Sequence, residues 1–192
     1  MDMRLEARMS LAGVKIAALV EAEFEDLELL YPVMRFQEEG ADVTIIGTGS
    51  AETYTGKHGL SVTVDTTADK VNADDFAAII VPGGWAPDRL RRNEAVLDFV
   101  RAFDQAGKTV GMVCHAGWVG ASAGILRGRR IAGTRAIKDD VNNAGGEWVD
   151  VPAIRDGNLV TGRVVADIPA WTKELVAAVY EQVGAAQTVG AR

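Results

Sequence analysis

Apolar residues fall into two recurring patterns along the chain, and their alternation predicts the architecture. Residues 14–20, 41–46, 77–81 and 109–113 are nearly continuous apolar runs, as expected of parallel strands buried on both faces. Longer segments of helical period lie between them. One spans about 26–39 and stops at Gly40; another starts from Asn93, a good N-cap, and runs to about 106 before Gly107. Further on, 116–123 is short and mostly small, 136–143 ends before Gly145-Gly146, and 170–182 follows Pro169. Asp156-Gly157-Asn158, between Ile154 and Leu159, reads as a hairpin turn. Strand and helix in alternation imply an α/β, doubly wound fold: a mostly parallel sheet with helices on both faces. With no repeat, linker or low-complexity stretch, one domain is expected over 1–192, with 1–13 and 184–192 as flexible tails.

Composition narrows the function classes. A chain of 192 residues, 48% apolar, can bury one sizeable core. Acidic residues outnumber basic ones 27 to 20, a formal charge of −7, which disfavours nucleic acid and anionic lipid as partners. The basic group Arg89, Arg91 and Arg92 is short, is followed by Glu94 and reads as a solvated helix face. A single cysteine excludes an internal disulfide and fits a reducing cytoplasm. Arg4 and Arg8 ahead of the apolar stretch 11–20 imitate a signal peptide, yet Lys15 interrupts it and Glu21, Glu23, Glu25 and Asp26 follow, so export is not expected. No other apolar run approaches the ~20 residues that span a membrane. The expected location is cytoplasmic.

In doubly wound sheets ligands bind beyond the carboxyl ends of the strands, which directs attention to Glu23-Phe24-Glu25-Asp26, Pro82-Gly83-Gly84-Trp85 and Cys114-His115-Ala116-Gly117. Cys114 closes a strand, opens a tight turn into a helix of small residues and precedes one of the chain's two histidines. That is the pattern of a nucleophile elbow, whose helix N-terminus is expected to favour the thiolate. His115 is the expected proton-transfer partner, and the elbow must bring the two neighbours together. Gly83 and Gly84 allow backbone N–H groups to approach a substrate closely and, with the His115 N–H, to form an oxyanion hole. Glu25 either favours the positive end of the first helix or reaches Cys114, where it must carry a proton, because a carboxylate would raise the thiol pKa. Gly47-Thr48-Gly49 lacks the third glycine of a dinucleotide fingerprint, and Gly56-Lys57-His58 lacks the rest of a P-loop. Two distant histidines and one cysteine give no metal-ligand spacing. No cofactor and no metal are therefore expected.

Several stretches carry a resemblance: Glu23-Phe24-Glu25-Asp26, Thr55-Gly56-Lys57-His58-Gly59, Val81-Pro82-Gly83-Gly84-Trp85-Ala86-Pro87-Asp88, Val113-Cys114-His115 and Ala136-Ile137-Lys138-Asp139-Asp140. Together with Asn143-Ala144-Gly145-Gly146-Glu147-Trp148-Val149-Asp150 they cover about residues 14–180 and look like the PfpI family of intracellular cysteine peptidases. The resemblance implies a flavodoxin-like sandwich of the class I glutamine amidotransferase-like superfamily, assembled as a homodimer or a hexamer of dimers. It implies Cys114 as nucleophile, His115 as its neighbour, Glu25 as the carboxyl touching the thiol, and Asp88 as a triad acid lent by an adjacent subunit. Ala116, standing where the family has glycine, is expected with Gly83 and Gly84 among the oxyanion and substrate-binding residues. Thr134 and Arg135 replace an aromatic-proline pair, implying a wider, more basic pocket. The implied activity is cysteine-dependent hydrolysis of peptides with a stress-protective role. The alternatives are a glyoxalase or protein deglycase acting on methylglyoxal or its adducts, and a redox-sensing, chaperone-like protein without turnover. The substrate is accordingly a peptide or a small aldehyde-derived molecule.

Overall fold

A computed structural model of the chain describes residues 10–190, with side chains to residue 185. In chain order the main elements are β1 (Lys15–Leu19), α1 (Asp26–Glu38), β2 (Asp42–Gly47), β3 (Thr53–Thr55), β4 (Ser61–Thr63), β5 (Thr66–Thr67), β6 (Ala78–Val81), α2 (Ala86–Leu90) and α3 (Glu94–Gln105). There follow β7 (Thr109–Val113), α4 (Gly117–Ala123), β8 (Arg130–Ile131), α5 (Lys138–Asn143), β9 (Glu147–Trp148), β10 (Ala153–Asp156), β11 (Leu159–Gly162) and α6 (Ile168–Gly190).

The main sheet has seven strands in the order β10-β11-β7-β6-β1-β2-β5. All its neighbours pair in parallel except β10 with β11, which form the antiparallel hairpin that Asp156-Gly157-Asn158 predicts. The apolar runs are these strands: β6, β7 and β11 are buried along their whole length, with helices covering both faces. α1 and α6 touch each other on one face, and α3 with α4 lies on the other. Trp171 of α6 is fully buried and donates its indole N–H to the Val160 carbonyl (3.0 Å), tying the last helix to β11. β1 sits between β2, its successor, and β6, so the strand order reverses there and leaves a crevice at the carboxyl ends of β1, β6 and β7.

Local signals account for the helix ends. Asn93 Oδ1 accepts from the Val96 N–H (3.2 Å) and its amide group donates to the Thr48 carbonyl (3.2 Å). Asn93→Ala should therefore cost about 1–2 kcal/mol, seen as a lower urea midpoint, with Asn93→Asp keeping the cap; an unchanged midpoint would exclude the cap as a stabilising contact. The expected tails need correction. Residues 1–9 and 191–192 lie outside the described residues, but Leu11 is fully buried with its N–H on the Glu39 carbonyl (2.9 Å), and α6 continues past 184 to Gly190. Leu11 and residues 16–20 of the apolar stretch pack into the core, and among the described residues no helix is long and apolar enough to cross a membrane.

Candidate active site

Cys114 leaves β7 with φ of 60°, a left-handed conformation that a non-glycine residue adopts only when its surroundings impose it. One helical turn, Cys114–Ala116, leads into α4. This is the predicted elbow, and its bend brings together two side chains that ordinarily diverge: Cys114 Sγ lies 3.3 Å from His115 Nδ1. Two N–H groups, those of Gly84 and His115, point at the sulfur and favour its charged form. Gly84 is placed by a backbone bridge between the β1 and β6 exits, in which the Glu25 N–H donates to the Gly83 carbonyl (3.2 Å) and the Trp85 N–H to the Glu23 carbonyl (2.8 Å).

The carboxyl group at the thiol is Glu28, not Glu25. Glu28 lies in the first turn of α1, is fully buried and interacts with Cys114, while its Oε2 accepts the Gly83 N–H (2.9 Å). Glu25 is also buried, but its Oε2 faces outward to His58 Nε2 (3.2 Å) and Lys57 Nζ (3.4 Å). The misassignment follows from α-helical geometry: the residue reaching inward from the start of α1 shares the buried stripe of Leu29, Pro32, Val33 and Phe36. A charged residue on that stripe was the available signal. The buried Asp26 carboxylate holds the loop carrying Lys57 and His58 by accepting the His58 and Leu60 N–H groups, both at 2.9 Å.

Electrostatics also revise the expectation of a low thiol pKa. Burial pushes Cys114 up to about 12, with the negative charge of Glu28 adding to it and the Gly84 and His115 N–H groups only partly opposing. Burial, followed by the charge of Glu25, raises Glu28 from 4.5 to about 7. Burial is the leading cause of both shifts; the charge of Glu28 raises the thiol further, whereas the Cys114 thiol, hydrogen-bonded to the carboxylate, lowers Glu28. A thiolate forms readily only while Glu28 holds its proton, which is the condition stated above for any carboxyl touching the sulfur. His115 is lowered, first by partial burial and then by the charge of Lys57, so its neutral, proton-accepting form is favoured.

A cavity of about 240 Å³ opens at the sulfur, lined by Glu25, Glu28 and Lys57 on one side and Trp85, Val164 and Val165 on the other. Gly83 and Ala116 do not reach it: the Gly83 N–H is spent on Glu28, and Ala116 is fully buried. Ala116 has φ of −59°, so glycine is not required there. Nor does Arg135 line the cavity; its cation is Lys57. Within the chain Asp88 does not meet His115, because its carboxylate pairs with Arg92 on the surface of α2. Lys57, Trp85, Val164 and Val165 were assigned no role from the sequence, the two valines because they lie far along the chain in the turn before α6.

Fold and site together define an α/β protein with a cysteine on a strand-to-helix elbow, backed by a buried carboxyl group. The sequence pattern of the DJ-1/PfpI family matches residues 14–178, and the chain belongs to that family. It is 48% identical to a Pyrococcus horikoshii protein named Deglycase PH1704, over 85% of this chain and 98% of that one. It is 38% identical to the Bacillus subtilis Putative cysteine protease YraA, over 83% and 95% of the respective chains. Among solved structures, a two-domain protein from Anabaena variabilis with DJ-1/ThiJ/PfpI-like and ferritin-like domains superposes with a TM-score of 0.84 at 36% identity. That match covers 85% of this chain and 47% of the Anabaena chain, less than half its length.

Proposed function

We propose that the chain is a cysteine-dependent hydrolase of deglycase type, acting on small aldehyde-derived adducts of amines or thiols. The observation that carries this reading is the Cys114 thiol on its strained elbow against Glu28, in a cavity of about 240 Å³. That volume lies below the ~300–1,000 Å³ usual for drug-sized ligands. It suits an adduct of a few carbons whose amino-acid or peptide remainder stays outside. In the proposed reaction the Cys114 sulfur bonds to the adduct carbon that carries the amine or thiol, the bond from that carbon to the amine or thiol breaks, and His115 passes the thiol proton to the leaving group. Once hydrogen has shifted from that carbon to the adjacent carbonyl carbon, the sulfur holds a 2-hydroxyacyl thioester, which water cleaves through an oxyanion held by the Gly84 and His115 N–H groups, returning a proton to the sulfur. For a methylglyoxal adduct the net change is adduct plus water to free amine and a 2-hydroxy acid. A hydrogen shift between adjacent carbons oxidises one and reduces the other, so no external oxidant is needed.

Peptide hydrolysis uses the same nucleophile and is the second reading, supported by the name of the Bacillus relative. Assembly as a homodimer or a hexamer of dimers, with Asp88 of a second copy facing His115, and a cytoplasmic location belong to the same proposal. Wild type and Cys114→Ser should be assayed side by side on methylglyoxal-treated N-acetyl-arginine and N-acetyl-cysteine, on fluorogenic peptides and on an aggregating client. Cys114-dependent release of free amine or thiol with lactate is expected. Cys114-dependent turnover of peptides alone would move the assignment to the peptidase. Client protection equal in both proteins, without turnover, would exclude an enzyme.

A further inference from the structure

Contact between Cys114 and His115 requires more than the elbow. A half-buried imidazole keeps rotational freedom unless its ring is held. The ring is flanked by two indoles, Trp118 of α4 with centroids 5.0 Å apart and Trp85 at the head of α2 with centroids 5.5 Å apart. Trp118 is itself fixed. Its Nε1–H donates to Asp140 Oδ2 of α5 (3.0 Å), and the Arg91 guanidinium lies 5.8 Å from its ring centroid, held by the Ser122 hydroxyl (2.9 Å). Asp88, the acid expected to orient the histidine, is instead paired with Arg92. We propose that Trp118, with Trp85 opposite and Asp140 as its anchor, is the positioning residue of His115, an aromatic bracket that sets the imidazole against the thiol within each chain. The inference rests on His115 serving Cys114 as the proposed function requires. Nδ1 faces the sulfur, so accepting the thiol proton there demands the tautomer that carries hydrogen on Nε2. The bracket holds the ring in the orientation that makes this possible, and an acid from a second copy would add charge to a histidine already placed.

Four variants separate the possibilities: Trp118→Ala, Trp118→Phe, Asp140→Ala and Asp88→Ala. Each is read by kcat and KM, by the rate of iodoacetamide alkylation at Cys114, and by nitrogen-15 NMR of the imidazoles, of which the chain has only two. A thermal melt verifies folding, and Asp140→Ala, altering an exposed residue, tests the anchor even if Trp118→Ala folds poorly. Misplacing a catalytic group by about 1 Å costs on the order of 10²-fold, so Trp118→Ala should lower kcat by about 10–100-fold with KM nearly unchanged. Its His115 signals should move toward the averaged tautomers of free histidine. Phenylalanine should restore most of kcat and the wild-type signature, Asp140→Ala should fall between, and Asp88→Ala should keep His115 in its wild-type tautomer. The bracket is refuted by a wild-type imidazole spectrum in Trp118→Ala, by Trp118→Phe as impaired as alanine, or by Asp88→Ala alone giving the averaged tautomers of free histidine. Alkylation and NMR need no substrate, so absence of turnover would count against the proposed function while leaving the bracket tested.

Discussion

Replacing Glu28 by alanine is expected to reduce turnover by about 10²–10³-fold, the range for losing one fixed hydrogen-bond partner of the reacting charge. Glu28 is fully buried, interacts with the Cys114 thiol and satisfies the Gly83 N–H. Alanine leaves that N–H buried without an acceptor and takes from the sulfur the carboxyl group that, when protonated, donates a hydrogen bond to its anion. Glutamine separates the roles, since its carbonyl still accepts from Gly83 and its amide still donates to a thiolate, but it cannot ionise. Glu28→Gln should stay within about tenfold of wild type and form its thiolate at lower pH, because the opposing charge is gone. Stability gives an independent readout. A carboxyl raised from 4.5 to about 7 favours the folded state fully below 4.5. That contribution is lost as pH rises through 7. At about 1.4 kcal/mol per pH unit the loss is on the order of 3 kcal/mol. Urea midpoints of wild type and Glu28→Gln, compared from pH 4.5 to 8, should diverge over this window while the other titrating groups cancel. Parallel curves would mean that Glu28 is ionised throughout, and the proton-sharing account of the thiol would fail.

The alternation of apolar runs and helical segments was enough to read the parallel sheet and the elbow, because both depend on periodicity and on which residues end strands. Asn93 and the turn at Asp156-Gly157-Asn158 were legible for the same local reason. What the pattern could not carry was direction. Glu25 and Glu28 are both acidic, both near the start of α1 and both buried, yet only the turn of the helix decides which faces the sulfur and which faces Lys57 and His58. Resemblance points to Glu23-Phe24-Glu25-Asp26, and the residue that meets the thiol lies two positions beyond it, on the buried stripe of α1. Charge at the thiol departs from the sequence expectation for a related reason. The turn at Cys114 suggests a favoured thiolate, but burial and a neighbouring carboxyl outweigh two N–H groups. Such a balance depends on how closely the elements pack, which periodicity does not record. Val164 and Val165 complete the cavity from a turn some fifty residues beyond the nucleophile, a contact that only the assembled sheet creates.

Gly84→Ala is expected to be strongly damaging, and the reason lies in backbone rather than side chains. Gly84 has φ of +74°, and a Cβ there would stand 2.4 Å from both the Glu23 carbonyl oxygen and the Glu25 nitrogen. Neither neighbour can swing aside, since both belong to the bridge joining the β1 and β6 exits, with its bonds of 3.2 and 2.8 Å. Relief must come from opening that bridge, which moves the start of α1 with Glu28 and withdraws the Gly84 N–H from the sulfur. Gly107 supplies the control. Its φ is +66°, and nothing lies within 4 Å of where its Cβ would be, so Gly107→Ala should cost only the conformational penalty of about 1–2 kcal/mol. Gly84→Ala adds the overlap and the broken bridge, for a total above about 4 kcal/mol. Urea unfolding of the two variants measures the difference, and cysteine alkylation of the surviving folded Gly84→Ala protein reports whether the sulfur has lost its partners. Equal midpoints for the two alanines would show that the strand exits yield without cost. The bridge would then not be what holds nucleophile, oxyanion N–H and Glu28 in register.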